Sequence, residues 1–150
     1  MTIYFYKVHG PYGCFSNFSP HDIVMGQLRW PTSEHYYQAQ KFIGTEYQPV
    51  ICEKIRQAPT PEDAAALGRD RSRVIRSDWD QAKCQVMYEA VKTKFSKHPK
   101  IKAVLLDTGR EDIIEDSPTD YYWGCGEDKS GENHLGKILM RVREELRAES

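Results

Sequence analysis

Apolar and polar residues along this chain recur on two periods, and the change of period marks the elements. Residues 3–8 (IYFYKV) are rich in β-branched and aromatic types and predict an opening strand. Residues 9–20 (HGPYGCFSNFSP) are dense in Gly, Pro, Ser and Asn and read as a loop. Residues 23–30 (IVMGQLRW) predict a short strand or a hairpin interrupted at Gly26. Helical signals then dominate. Thr32 or Ser33 caps a helix starting near Glu34, and a second helix is predicted over 46–57 with Pro49 in its first turn. Thr60-Pro61-Glu62-Asp63 reads as a cap, a first-turn proline and an acidic start. That helix is predicted to run through Ala64–Leu67 and to stop at Gly68. The longest helix, 78–97, carries Cys84, Met87, Val91 and Phe95 on one row and Trp79, Ala82, Val86 and Ala90 on another. A helix over 99–107 ending near Gly109, strands at 111–115 and 120–123, and a helix over 134–147 complete the chain. The last helix places Leu135, Ile138, Leu139, Val142 and Leu146 on one stripe. The pattern predicts an α+β fold: an α-rich single domain over 1–150 with a small β-sheet.

Composition narrows the function. A chain of 150 residues supports one core of ordinary size. Lys+Arg of 21 against Asp+Glu of 22 gives a net charge of -1. That balance argues against coating nucleic acid through bulk charge, while leaving room for a local basic pocket. No apolar run approaches the roughly 20 residues that span a membrane. The N-terminus lacks the charged and apolar regions of a signal peptide, so the expected compartment is the cytoplasm. Cys14, Cys52, Cys84 and Cys125 are scattered without a C-x-x-C pair, and the histidines lack ligand spacing, so neither metal nor disulfide is expected. The phosphate-binding P-loop, the G-x-S-x-G elbow and the H-E-x-x-H helix have no match.

Four segments carry candidate chemistry. Glu34, Tyr37, Gln38 and Lys41 are spaced i, i+3, i+4 and i+7, so a carboxylate, an amide and an amine project from one helical face. Taken alone, the pattern also describes a solvated face with a Glu/Lys pair. In the loop Gly13–Phe18, two aromatics and Asn17 can bracket a flat ring and bond its edge, or simply anchor a polar turn. Arg69, Arg71, Arg73 and Arg76 crowd into eight residues of a neutral chain, and guanidinium groups suit phosphate oxygens. One or two of them are expected to touch ligand, with neighbouring aspartates pairing the rest. Finally, Asp120, Tyr121, Tyr122 and Trp123 lead into a Gly-rich loop and a helix start at His134, whose amides offer an anion site.

Together these pieces resemble the NADAR (YbiA-like) family. The matching segments are GCFSNFS at 13–19, WPTSEHYYQAQKF at 30–42, LGRDRS at 67–72, DYYWGCG at 120–126 and GENHLGKILMRVRE at 131–144. They occur in the family's order over essentially the whole chain. The resemblance implies an N-glycosidase with no cofactor. It marks Glu34 as the acid and Lys41 as the amine, with Asp120 as a further catalytic residue. Asn17, Phe18, Tyr37, Gln38, Arg69, Trp79 and Trp123 are the expected substrate-binding residues. The implied substrate is a small phosphorylated ribosylamino-pyrimidine metabolite of riboflavin biosynthesis, cleaved to release ribose 5-phosphate. ADP-ribosylated guanine in nucleic acid is the alternative, and a non-catalytic ADP-ribose or nucleotide reader is the rival from another class. For the chemistry, two routes are open: attack by Lys41 on C1′ of an opened ribose, or activation of water by a carboxylate. The resemblance favours the lysine.

Overall fold

A computed structural model describes all residues from Met1 to Ser150. The chain forms two compact units, one of Met1–Ser19 with Phe95–Ser150 and one of Pro20–Lys94. The fold is helix-rich, with six α-helices, as the periodicity predicts. Its β-structure is two separate two-stranded pieces rather than one small sheet. No helix is long and apolar enough to cross a membrane.

In the first unit, β1 (Ile3–Phe5) pairs in parallel with β4 (Ile113–Glu115), Ile3 opposite Ile113 and Phe5 opposite Glu115. Helix α6 (His134–Ala148) lays Leu135, Leu139, Val142 and Leu146 into the core, none more than 1% exposed. This is the stripe the sequence predicts, and burying side chains of this size stabilises by about 1.5–3 kcal/mol each. Helix α5 (Pro99–Asp107) ends as expected, with Gly109 at φ +65. Buried Arg143 on α6 donates to the Thr108 hydroxyl at 3.0 Å and the Glu111 carbonyl at 2.7 Å, and Arg147 donates to the Gly109 carbonyl at 2.7 Å. The two arginines thereby satisfy groups beyond the end of α5, where cations are favourable. They are structural.

In the second unit, β2 (Ile23–Met25) and β3 (Leu28–Trp30) form the antiparallel hairpin. Its two-residue turn has Gly26 and Gln27 both at positive φ, 61 and 65, the geometry that matches strand twist. Helix α1 spans Ser33–Gln40, and Thr32 is its cap, accepting from the His35 amide at 3.2 Å. The helix expected over 46–57 is shorter and begins irregularly: a π-helical turn over Gln48–Cys52 precedes α2 (Glu53–Arg56). Pro49 lies in the first turn, as expected, where the amide it lacks would have had no helical acceptor.

Helix α3 spans Pro61–Arg69, capped by Thr60 as predicted. Gly68 does not end it in a left-handed conformation; it lies inside the helix and is buried. A Cβ at this position would come within 2.0 Å of Gln38 Oε1 and 2.8 Å of Gln38 Cβ. Gly68 is therefore the point where α3 and α1 approach. Helix α4 (Trp79–Lys97) carries the chain from the second unit into the first, burying Met87, Val91 and Phe95 as well as Trp79, Val86 and Ala90.

Candidate active site

Every residue from Thr32 to Ala39 is buried, so α1 is no solvated face. Burying polar groups costs free energy unless they are bonded, and the helix is built around that requirement. His35 Nε2 lies 3.1 Å from the Ala58 carbonyl, which can only accept, so Nε2 carries the proton. Nδ1 then accepts from the Thr32 hydroxyl at 2.7 Å, while the same hydroxyl oxygen accepts from the His35 amide. Desolvation lowers the His35 pKa, against a smaller upward pull from the Ala58 bond. A neutral, doubly bonded histidine follows, and its role is to seat the helix start.

One turn on, Gln38 Nε2 donates to Glu34 Oε2 at 2.6 Å, with both residues at most 5% exposed. The orientation is set by chemistry: an ionised carboxylate accepts only, so the amide nitrogen faces it. Gln38 Oε1 is left buried without a hydrogen-bond partner, lying against Gly68. Gly68→Ala forces this amide away. It is expected to cost about 1–3 kcal/mol of stability, as overpacking does, and to lower turnover by releasing Glu34. A urea midpoint and rate equal to wild type would show that α3 has room to yield.

At the helix end stands Lys41, half-buried, its Nζ 5.7 Å from the centroid of the Tyr37 ring. Tyr37 is backed by Trp79, ring centroids 5.1 Å apart at 54°. Trp79 is 6% exposed, so it supports Tyr37 rather than offering its own face. Burial lowers the Lys41 pKa to about 8; Glu34 pulls it up, and Arg69 and Lys83 push it further down. At pH 7 an amine of pKa about 8 is neutral in about a tenth of molecules, against about 0.03% at 10.5. A nucleophilic amine needs this adjustment. Lys83, on α4, is the contributor that sequence spacing did not reveal. Its contribution depends on where α4 passes α1, which no local pattern records.

The arginine segment closes the same region. Arg76 donates its amide to the Lys41 carbonyl at 2.8 Å and its guanidinium to the Gln40 carbonyl at 3.4 Å, and pairs with Asp78 at 2.6 Å. It caps the end of α1. Arg73 pairs with Asp70 at 3.3 Å. Arg69 and Arg71 have no acidic partner, and they line a cavity of about 510 Å³ together with Lys41 and Gly68. Arg73 and its partner Asp70 line the same cavity, so pairing with aspartate does not by itself divide the arginines into those that face the pocket and those that do not.

The remaining candidates belong to the first unit. Asn17 is buried and Phe18 half-buried. Phe15, read as one of two ring-bracketing aromatics, is instead core: 1% exposed, stacked on Tyr12 at 5.4 Å and set edge-on to Phe5 at 5.7 Å. Residues 120–123 form no strand. Asp120 Oδ1 accepts from the amides of Tyr122 at 3.0 Å and Trp123 at 2.7 Å, folding them into a turn that presents Trp123 half-buried. The expected anion site at the α6 start is not open. The amides of Glu132, Asn133, His134 and Leu135 donate to the carbonyls of Tyr121, Gly124, Tyr122 and Trp123. Asn133 sits left-handed at φ 53, its side chain bonding the Glu115 amide and Ile113 carbonyl at 2.9 Å each, which ties the helix start to β4.

The NADAR domain family model matches residues 4–147, spanning both units. An N-glycosidase of Nostoc punctiforme is 60% identical over 98% of this chain and 94% of its own length. N-glycosidase YbiA of Escherichia coli is 44% identical over 98% of this chain and 89% of its own. The NMR structure of that protein matches with a TM-score of 0.87 at 43% identity, covering 99% of this chain and 88% of the other. The chloroplastic riboflavin biosynthesis protein PYRR of Zea mays is 43% identical over 96% of this chain, which spans 25% of that longer protein. With an α1 built around a buried acid and a half-buried amine, and with these relatives along its length, the chain belongs to the NADAR family and is an N-glycosidase.

Proposed function

We propose that the substrate is a phosphorylated ribosylamino-pyrimidine of riboflavin biosynthesis, cleaved at its C1′–N bond to ribose 5-phosphate and the free amine. The observation that carries the reading is Lys41: a half-buried amine with a pKa near 8, beside a buried carboxylate and at the edge of an arginine-lined cavity. The riboflavin name of the maize relative supports the metabolite.

A ribosylamine opens to a chain imine when O4′ takes a proton and the glycosidic nitrogen loses one. Neutral Lys41 Nζ attacks C1′, and the amine departs with its bonding electrons. Two protons pass from Nζ to the leaving nitrogen, with Glu34 as the relay. The product is an imine between Lys41 and C1′. Water adds to it, the C1′–Nζ bond breaks, and the aldehyde of ribose 5-phosphate leaves while Lys41 regains its protons. The Tyr37 ring, backed by Trp79, lies beside the Lys41 amine with its centroid 5.7 Å from Nζ, and Gln38 holds Glu34.

The test is a side-by-side turnover assay on the ribosylamino-pyrimidine phosphate and on ADP-ribosylated guanine DNA, with borohydride added during turnover. Release of ribose 5-phosphate from the first and a ribosyl mass adduct on Lys41 are expected. Turnover of the DNA adduct alone would move the assignment to ADP-ribose. Turnover without any adduct would point to water activated by a carboxylate.

A further inference from the structure

Of the four arginines between α3 and α4, Arg73 and Arg76 are neutralised by Asp70 and Asp78, and Arg76 caps α1. Arg69 and Arg71 remain, both exposed and both on the cavity wall. The loop that bears them is not slack. Asp70 ends α3 and accepts from the Ser72 amide at 2.9 Å, while its other oxygen holds Arg73. One carboxylate thus bends the chain at Arg71 and ties down the far side of the turn. We infer that Arg71, with Arg69, forms a wall for a terminal phosphate, and that Arg71 sets the enzyme's preference for phosphorylated over unphosphorylated ribosyl substrates.

The inference rests on the ribosyl-phosphate reading of the site and adds to it a residue and a specificity. In a ribose 5-phosphate group the phosphate lies at the opposite end from C1′. If C1′ is placed at Lys41, the phosphate falls toward the far end of the cavity. Arg69 is the last residue of α3 and Arg71 stands beyond it in the bend that Asp70 holds through the Ser72 amide, and both line the cavity that Lys41 also lines. A phosphomonoester carries about -1.5 to -2 charge at pH 7, which two guanidinium groups can match. The match also protects the chemistry. An unbalanced dianion near Lys41 would favour its protonated form, and two paired arginines screen it.

Arg71→Ala removes an exposed side chain, so folding is not at stake and an unchanged thermal midpoint is the control. The expected result is a rise in KM of about tenfold to a hundredfold for the phosphorylated ribosylamino-pyrimidine, the scale of losing a charge-assisted contact, with kcat within about threefold. The unphosphorylated ribosylamino-pyrimidine should show the same kcat/KM in wild type and variant. Equal losses on both substrates, or no loss on either, would overturn the role. A second arm needs no turnover: calorimetric titration with ribose 5-phosphate, and with ribose as control. Wild type should bind the phosphate at least tenfold more tightly than Arg71→Ala does, and the variant should not distinguish ribose 5-phosphate from ribose as wild type does. If this binding difference holds while neither ribosyl substrate is cleaved, the substrate reading fails and the phosphate wall stands. If cleavage holds and the binding difference is missing, the wall fails.

Discussion

Lys41→Met is expected to lower turnover by on the order of a thousandfold or more and to abolish the borohydride adduct, while leaving the protein at least as stable at pH 7. The two effects have one cause. In the folded chain the Lys41 pKa is about 8, below its ordinary 10.5. Between those values the unfolded chain holds more protons than the folded one, so stability rises with pH across the interval. The penalty of the buried ammonium is therefore fully present below pH 8 and is lifted as pH climbs toward 10.5. Methionine keeps the length of the stem and has no charge to desolvate. Urea unfolding at pH 7 and at about pH 10.5 reads this out: the variant's advantage should shrink at the higher pH. For wild type, kcat/KM should rise with pH along a limb centred near 8, as neutral amine accumulates. A variant that turns over at near-normal rate would take the nucleophile's role away from Lys41.

Glu34→Gln is expected to lower the plateau rate by on the order of a hundredfold, the usual loss for a proton relay. The pH profile separates this from simple damage. Glu34 is the one group pulling the Lys41 pKa upward, against burial, Arg69 and Lys83. Removing its charge lets those three lower the amine further, so the rising limb should move to lower pH even as the plateau falls. The variant's amine is more available and less useful. Glutamine can still accept from Gln38, so the α1–α3 contact survives. A lower plateau with an unmoved limb would make Glu34 a structural residue only.

Much of this site is legible in the linear sequence because its spacing is local. Thr32 and Thr60 announce their helices, and Glu34, Tyr37, Gln38 and Lys41 declare a common face without any tertiary knowledge. What spacing does not tell is whether that face meets water. Tertiary packing decides that, and here α1 is buried on all sides. The same limit explains Gly68. A glycine near a helix end reads as a stop, whereas its actual reason is Gln38, thirty positions away in sequence and in van der Waals contact in space. Asp120–Trp123 and the α6 start are a related case: an aspartate ahead of aromatics reads equally as a strand edge or a side-chain-held turn, and free helix amides look available until distant carbonyls occupy them. Phe15 shows the reverse error, an aromatic in a polar loop whose apparent exposure is its neighbours'. Long-range contact is the missing information each time.

The burial of α1 has a consequence for motion. Helix ends ordinarily fray, and mobile segments are drawn from the least stable parts of a fold. This helix is closed at its start by Thr32 and His35, at its end by Arg76, and along its side by Gln38 against Gly68. It has no turn that can open by itself; its amides become accessible only when the surrounding unit opens. The acid and the amine are thus carried by a rigid frame, and the freedom needed to admit a substrate and release two products has to come from elsewhere.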